Sequence, residues 1–195
     1  LLTQENKDKV YLLNKNGIVH EWQLSNLNKK TNLKQNLKSR PYGAHLFQNG
    51  EIIVSSDLSD SFNSTGKAFI AKLDKDSNVL WFKDYLIHHW FSVYKNNIYF
   101  SDREFINYND LKNLYPESTV NYFDCKNDTI NDEPVRLENI VIANSNGEII
   151  KKINVFDVLI NHPELSNLII DCIDPLHIND VRIINKSIKL DNFTI

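Results

Sequence analysis

Methionine is absent and cysteine nearly so, with 2 in 195 residues. A chain that opens on Leu1 and never uses Met reads as an internal piece of a longer protein, so any targeting segment is expected outside it. Cys125 and Cys172 stand far apart and outside any Cys-x-x-Cys spacing. That excludes a zinc ribbon or a dithiol redox pair and leaves two buried free thiols as the expectation, with one disulfide as the alternative in an exported protein. No apolar run approaches the roughly 18 residues of a membrane-spanning helix, and no basic-then-apolar segment opens the chain. Glycine-rich phosphate loops and a Gly-x-Ser-x-Gly elbow are missing too, which removes Rossmann, P-loop and α/β-hydrolase chemistry. The formal charge of −3 comes from interspersed acids and bases. There is no basic stripe to exchange counterions with a phosphate backbone, so nucleic acid is not expected as a partner.

What remains is a globular composition, 42% hydrophobic and 24% charged, with enough apolar material for one core. One hairpin pattern occurs three times: Tyr11 to Trp22 around Asn14–Gly17, Ala71 to Trp81 around Asp74–Asn78, and Val141 to Ile150 around Asn144–Gly147. In each, two β-prone runs flank a turn of Asn, Asp and Gly, residues that accept the positive φ of tight turns. A second hairpin type lies between the copies, at Gly43 to Val54, His89 to Phe100 and His177 to Ile184. Aligned on Val93 and Val181, the last two put His89 and His177 at one structural position, where the first copy has Tyr42.

A second-type hairpin followed by a first-type one makes a four-stranded antiparallel unit, at about 43–85 and, with an insertion, about 88–155. Such units match the roughly 40 to 50 residues of a β-propeller blade. Residues 10–24 then read as the outer half of a preceding blade and 176–195 as the inner half of a following one. The expected fold is therefore all-β, a single partial propeller domain over 1–195 with about three blades. Two stretches break the repeat: 103–138, expected as an inserted loop or hairpin, and 156–173, the best helix candidate, with Pro163 at a first-turn position.

In a propeller, His89 and His177 on neighbouring blades meet at one mouth of the central channel. Imidazole accepts a proton or attacks, imidazolium steadies a developing anion, and both forms are accessible near neutral pH. Asn179 follows His177 by two positions, which puts both on one strand face, where an amide offers an oxyanion a neutral donor. His88 joins them if a loop conformation turns it inward. His20, His45 and His162 are expected to be structural. A metal site built from two His with Asp102, Asp174 or Asp180 has no supporting motif, and Asp74 and Asp76 lack the calcium-loop Gly and Glu. No cofactor is expected. Trp22 and Trp81, read as equivalent, are expected to pack between blades.

Three elements together, Leu73-Asp-Lys-Asp-Ser-Asn-Val-Leu-Trp81, the pair His88-His89 after that unit, and Asp174-Pro-Leu-His-Ile-Asn-Asp-Val181, resemble the bacterial arylsulfotransferase family that works without a nucleotide sulfate donor. The resemblance spans about Val10 to the end, and His-Ile-Asn is its most specific part. It implies a six-bladed propeller that moves a sulfuryl group from an aryl sulfate to a phenol through a sulfohistidine intermediate, in a periplasmic or exported protein. Carried over, His177 and Asn179 fall on the pair that contacts the sulfuryl oxygens, and His88 or His89 on the upstream channel His. Trp90 stands where the family often has Asp. The family's Ser-x-Arg and nucleophilic His would lie beyond Ile195, so the piece alone is expected to be inactive. Competing readings are a non-catalytic propeller that binds a protein or glycan, and a quinoprotein-type propeller, disfavoured because Lys-Asp-Ser-Asn follows Asp74.

Overall fold

Alternation at period two decides how the strands bury themselves. In the computed structural model, β5 (Ile52–Asp57) buries Ile52, Ile53 and Val54, and β6 (Ala68–Leu73) buries residues 68–71 and Leu73, so each strand buries apolar side chains on both faces. Ile52, Val54, Phe69, Ala71 and Leu73 pack one way, against Val10, Trp22, Leu24 and Leu27. Ile53, Ala68 and Ile70 pack the other way, against Ile87, Phe91, Ile98, Phe100, Val141 and Ala143. A strand buried on both sides needs a sheet on each side. The structure describes residues 1–3, 9–30, 40–57, 68–115, 134–162, 176, 178, 180–184, 189–190 and 193–194.

Among the described residues, three sheets of three or more strands result. The first has the order β1-β2-β3, from Leu2–Thr3, Lys9–Asn14 and Gly17–Gln23. The second is β4-β5-β6-β7, opening with β4 (Arg40–Leu46) and closing with β7 (Val79–Lys83). The third runs through β8 (Ile87–Tyr94), β9 (Asn97–Ile106), β10 (Val135–Ala143) and β11 (Ile149–Asn154). All pairings are antiparallel between sequence neighbours. The chain is thus mostly β, in antiparallel four-stranded sheets whose bounds lie close to the expected units. The described helices are short: α1 (Ser25–Lys30), α2 (Tyr108–Leu114) and α3 (Val155–Ile160).

Within 103–138, β9 continues to Ile106 and α2 follows, anchored by buried Leu111; residues 116–133 lie outside the described residues. Within 156–173, α3 is capped by Asn154, whose Oδ1 accepts from Asp157 N at 3.2 Å, and Pro163 lies outside the described residues. The expected strand from His177 to Ile184 is not there: among the described residues of that stretch, 178 and 180–184, none is in a strand. A short hairpin of β12 (Lys189–Leu190) and β13 (Phe193–Thr194) follows. Cys125 and Cys172 also fall outside the described residues.

The repeated turns are near copies. Asp74 Oδ1 accepts from Asp76 N (2.9 Å) and Asn78 N (2.8 Å), and Asn144 Oδ1 accepts from Asn146 N (2.9 Å) and Glu148 N (3.0 Å). Each turn needs a left-handed residue, supplied by Ser77 (φ 65°) and Gly147 (φ 75°). A ring on the last strand of the preceding sheet then docks on the turn's second carbonyl. His20 Nε2–H donates to Lys75 O at 2.8 Å, and Trp81 Nε1–H donates to Ser145 O at 3.0 Å. The strand registers show that Trp81 corresponds to His20 rather than to Trp22, since His20 faces Leu12 and Trp81 faces Lys72, each just before a bulge. Trp22 is instead a core residue of the first interface.

A Cβ on Gly147 would lie 3.0 Å from Trp81 Cζ3, at a φ that side chains rarely adopt. Gly147→Ala is therefore expected to destabilise the chain by about 1–3 kcal/mol. Trp81→Phe, which loses one hydrogen bond, is expected to cost about 1 kcal/mol. Urea unfolding midpoints measure both.

Candidate functional site

Meander topology sorts the connections by length. In each sheet the tight turns, 14–17, 47–51, 74–78, 95–96 and 144–148, close one end of the strands. The longer segments, 24–39, 58–67 and 107–134, leave from the other end, as does the stretch after 154. The heads of β4 and β8 open on that second end. They are level with each other: Ser55 Oγ donates to His89 O at 2.9 Å, and the Tyr42 and His89 rings meet edge to face at 4.9 Å. Gly43 permits this approach, because a Cβ there would lie 3.0 Å from Ser55 Oγ and 3.1 Å from the Phe91 ring.

His89 sits in an irregular register between Ile87 and Phe91 and has a φ of 64°, uncommon for a residue with a side chain. Tyr42 occupies the matching bulge of β4, between Pro41 and Gly43. Bulges at a strand head re-aim side chains, and here they turn two aromatic groups toward one another. The backbone of His88 belongs to β8, but its side chain is outside the described residues, as are His177 and Asn179. Residues 180–183, which follow them in the chain, run beside β8, since Ser92 Oγ donates to Val181 O at 2.6 Å. Between this segment and β8 lies a cleft of about 270 Å³, lined by Trp90, Ser92, Tyr94, Asp180 and Arg182 among others.

Sequence reasoning missed a polar layer at the same end of the third sheet. Glu138 is fully buried on β10, accepting from Ser101 Oγ and from Arg103 Nε at 3.3 Å. A buried carboxylate survives in a strand only when paired in this way. On the opposite face Lys152 Nζ lies 3.1 Å from Glu104 and 3.6 Å from Asp102. The one sequence signal was the charge at Arg136 and Glu138 inside the β-prone stretch Val135–Ala143.

Asp102 has a further tie. Leu86 N–H donates to its carboxylate, and Arg103 N donates to Leu86 O at 3.0 Å. These bonds fix the short link from β7 into His88-His89. Burial raises the Asp102 carboxyl above its ordinary range, with Lys152 opposing. His45 is lowered by burial, which favours neutral imidazole. His20 is tied to Lys75 as described, and His162 N donates to Leu159 O at 3.0 Å. Among the described residues no three metal-ligating side chains converge, and no helix is long and apolar enough to cross a membrane.

Set against protein-family models, curated proteins and solved structures, the chain matches none of them.

The raised Asp102 value fixes the sign of a pH effect. A carboxyl that holds its proton more tightly when folded favours folding below its unfolded value of 3.8 and loses that contribution as pH rises through the folded value. Asp102→Asn removes the titration. Relative to the variant, the parent chain is therefore expected to lose stability as pH rises above about 4, read as diverging urea midpoints.

Proposed function

We propose that the three sheets are consecutive blades of a β-propeller, and that this chain supplies part of the sulfuryl-binding mouth of an aryl-sulfate sulfotransferase. Three features support the propeller: meander order within each sheet, apolar faces shared between successive sheets, and a ring-to-turn contact repeated at both interfaces. Residues 176–184 then belong to the next blade, and by the resemblance the whole ring has six.

The observation that carries the functional reading is the position of His89. It heads β8 in a left-handed conformation at the end from which the long connections leave, and residues just after His-Ile-Asn reach the same strand at Ser92. In sulfuryl transfer the S–O bond to the donor phenol breaks while an imidazole nitrogen bonds to sulfur, and the acceptor phenol oxygen then displaces the imidazole. Negative charge spreads over three oxygens in both steps, so preplaced donors such as His177, Asn179, His89 and His88 lower the barrier. The nucleophilic His belongs, by the resemblance, to a blade beyond Ile195. Phenols and aryl sulfates are the partners, no cofactor is needed, and the compartment is periplasmic or exported.

One observation favours a second reading, a non-catalytic binding propeller. The His89 carbonyl and ring are both engaged, by Ser55 and Tyr42, as those of a structural residue would be.

Transfer from 4-nitrophenyl sulfate to phenol separates the two. Residues 1–195 alone are expected to give no turnover, and the polypeptide continued past Ile195 to give it. In the longer polypeptide His177→Ala and Asn179→Ala each lower kcat by about 10²–10³-fold, the size expected for removing a transition-state donor, with circular dichroism unchanged. Turnover by 1–195, or full activity in both variants, contradicts the assignment; absence of turnover in the longer polypeptide selects the binding reading.

A further inference from the structure

We infer that the cleft between β8 and residues 180–183 is a binding site for a single-ring aromatic anion, with Trp90 as the platform for the ring and Arg182 as the fork for the anionic group. Trp90 directly follows the irregular head of β8 and is 54% exposed, unusual for an indole on a strand, where the ring normally finds cover. Its neighbours across the cleft supply complementary chemistry. Asp180 Oδ2 accepts from Arg182 Nε at 2.5 Å, which holds the guanidinium and leaves its terminal nitrogens toward solvent, the side chain being 84% exposed. Such a fork pairs with two oxygens of a planar or tetrahedral anion, a geometry lysine cannot supply. Asp180 offsets the charge of Arg182, so recognition rests on directed N–H donors together with the ring and disfavours small, fully hydrated anions.

The cleft volume of about 270 Å³ lies at the lower edge of ligand pockets and suits one ring with one substituent. Tyr94, two turns of the pleat along the same strand face as Trp90 and Ser92, extends the aromatic wall. The sulfate ester as the natural form of the anion rests on the functional reading above. The cleft itself is tested without turnover.

The probe is phenyl sulfate, titrated into the 195-residue chain by calorimetry and by tryptophan emission. Cyclohexyl sulfate, phenol, inorganic sulfate and 1-naphthyl sulfate are the comparisons. Saturable binding of phenyl sulfate is expected, at least about fivefold tighter than that of any comparison. Trp90→Ala weakens it by about tenfold or more and Trp90→Phe by no more than about threefold, as stacking predicts. Arg182→Gln weakens phenyl sulfate and leaves phenol unchanged. In Trp90→Phe the ligand-dependent quenching disappears. Absence of saturable binding to the parent chain, equal binding of cyclohexyl sulfate, or unaltered binding in Trp90→Ala overturns the assignment. Binding that follows Trp90 in a longer polypeptide without sulfate transfer keeps the cleft and retires the transferase reading. Transfer with binding indifferent to Trp90 does the opposite.

Discussion

The two central strands of the middle sheet bury apolar side chains on both faces, and much of the rest of the structure follows from covering them. Residues 52 to 54 and 68 to 71 alternate between two buried apolar surfaces, with the buried hydroxyls of Ser55 and Ser56 following on β5, so β5 and β6 need a sheet on each side. Burying side chains such as Phe69, Phe100 and Ile53 contributes about 1.5–3 kcal/mol each. The contribution is non-directional, and burial by itself does not fix the angle or height at which the sheets meet. Direction comes from a smaller term. A ring nitrogen on the last strand of one sheet finds the second carbonyl of the next sheet's turn, at both interfaces.

Those contacts also decide where chemistry can occur. Once the heads of β4 and β8 are level, every tight turn of a sheet lies opposite the end that carries its variable connections. Loops positioned by a rigid scaffold are where binding residues collect. The third sheet places Ser101, Asp102, Arg103, Glu138 and Lys152 near that end, at a desolvation cost that an apolar layer would avoid. Asp102 connects this layer to the histidine pair through Leu86, so polar burial and site geometry are one feature of the fold.

Much of this architecture was legible in the residues. The turns at Asp74–Asn78 and Asn144–Glu148 were readable because Asn, Asp and Gly have local reasons to be there, and the alternation on either side gave the strands. Equivalence between copies was harder. Trp81 follows its turn at Asp74–Asn78 by three residues, as His20 follows Asn14–Gly17, so the shared residue type, not the spacing, paired Trp81 with Trp22. A bulge leaves almost no mark in sequence. The left-handed conformation of His89, the burial of Glu138 and the exposure of Trp90 were hidden for a similar reason, since each depends on a neighbour far away in the chain. Helix α2 follows a strand in a segment whose weak periodicity suggested a loop, and packing of Leu111 against Val135, Leu137 and Phe156 stabilises it.

The central proposal is that successive sheets fan around an axis and bring residue 177 to the head of β8. Spin labels on His89→Cys and His177→Cys, with Cys125 and Cys172 changed to Ser, measure it by dipolar spectroscopy. The account predicts a narrow distribution within about 20 Å, two sheet spacings. A separation beyond about 40 Å, four such spacings where neighbouring sheets stand one apart, would contradict it.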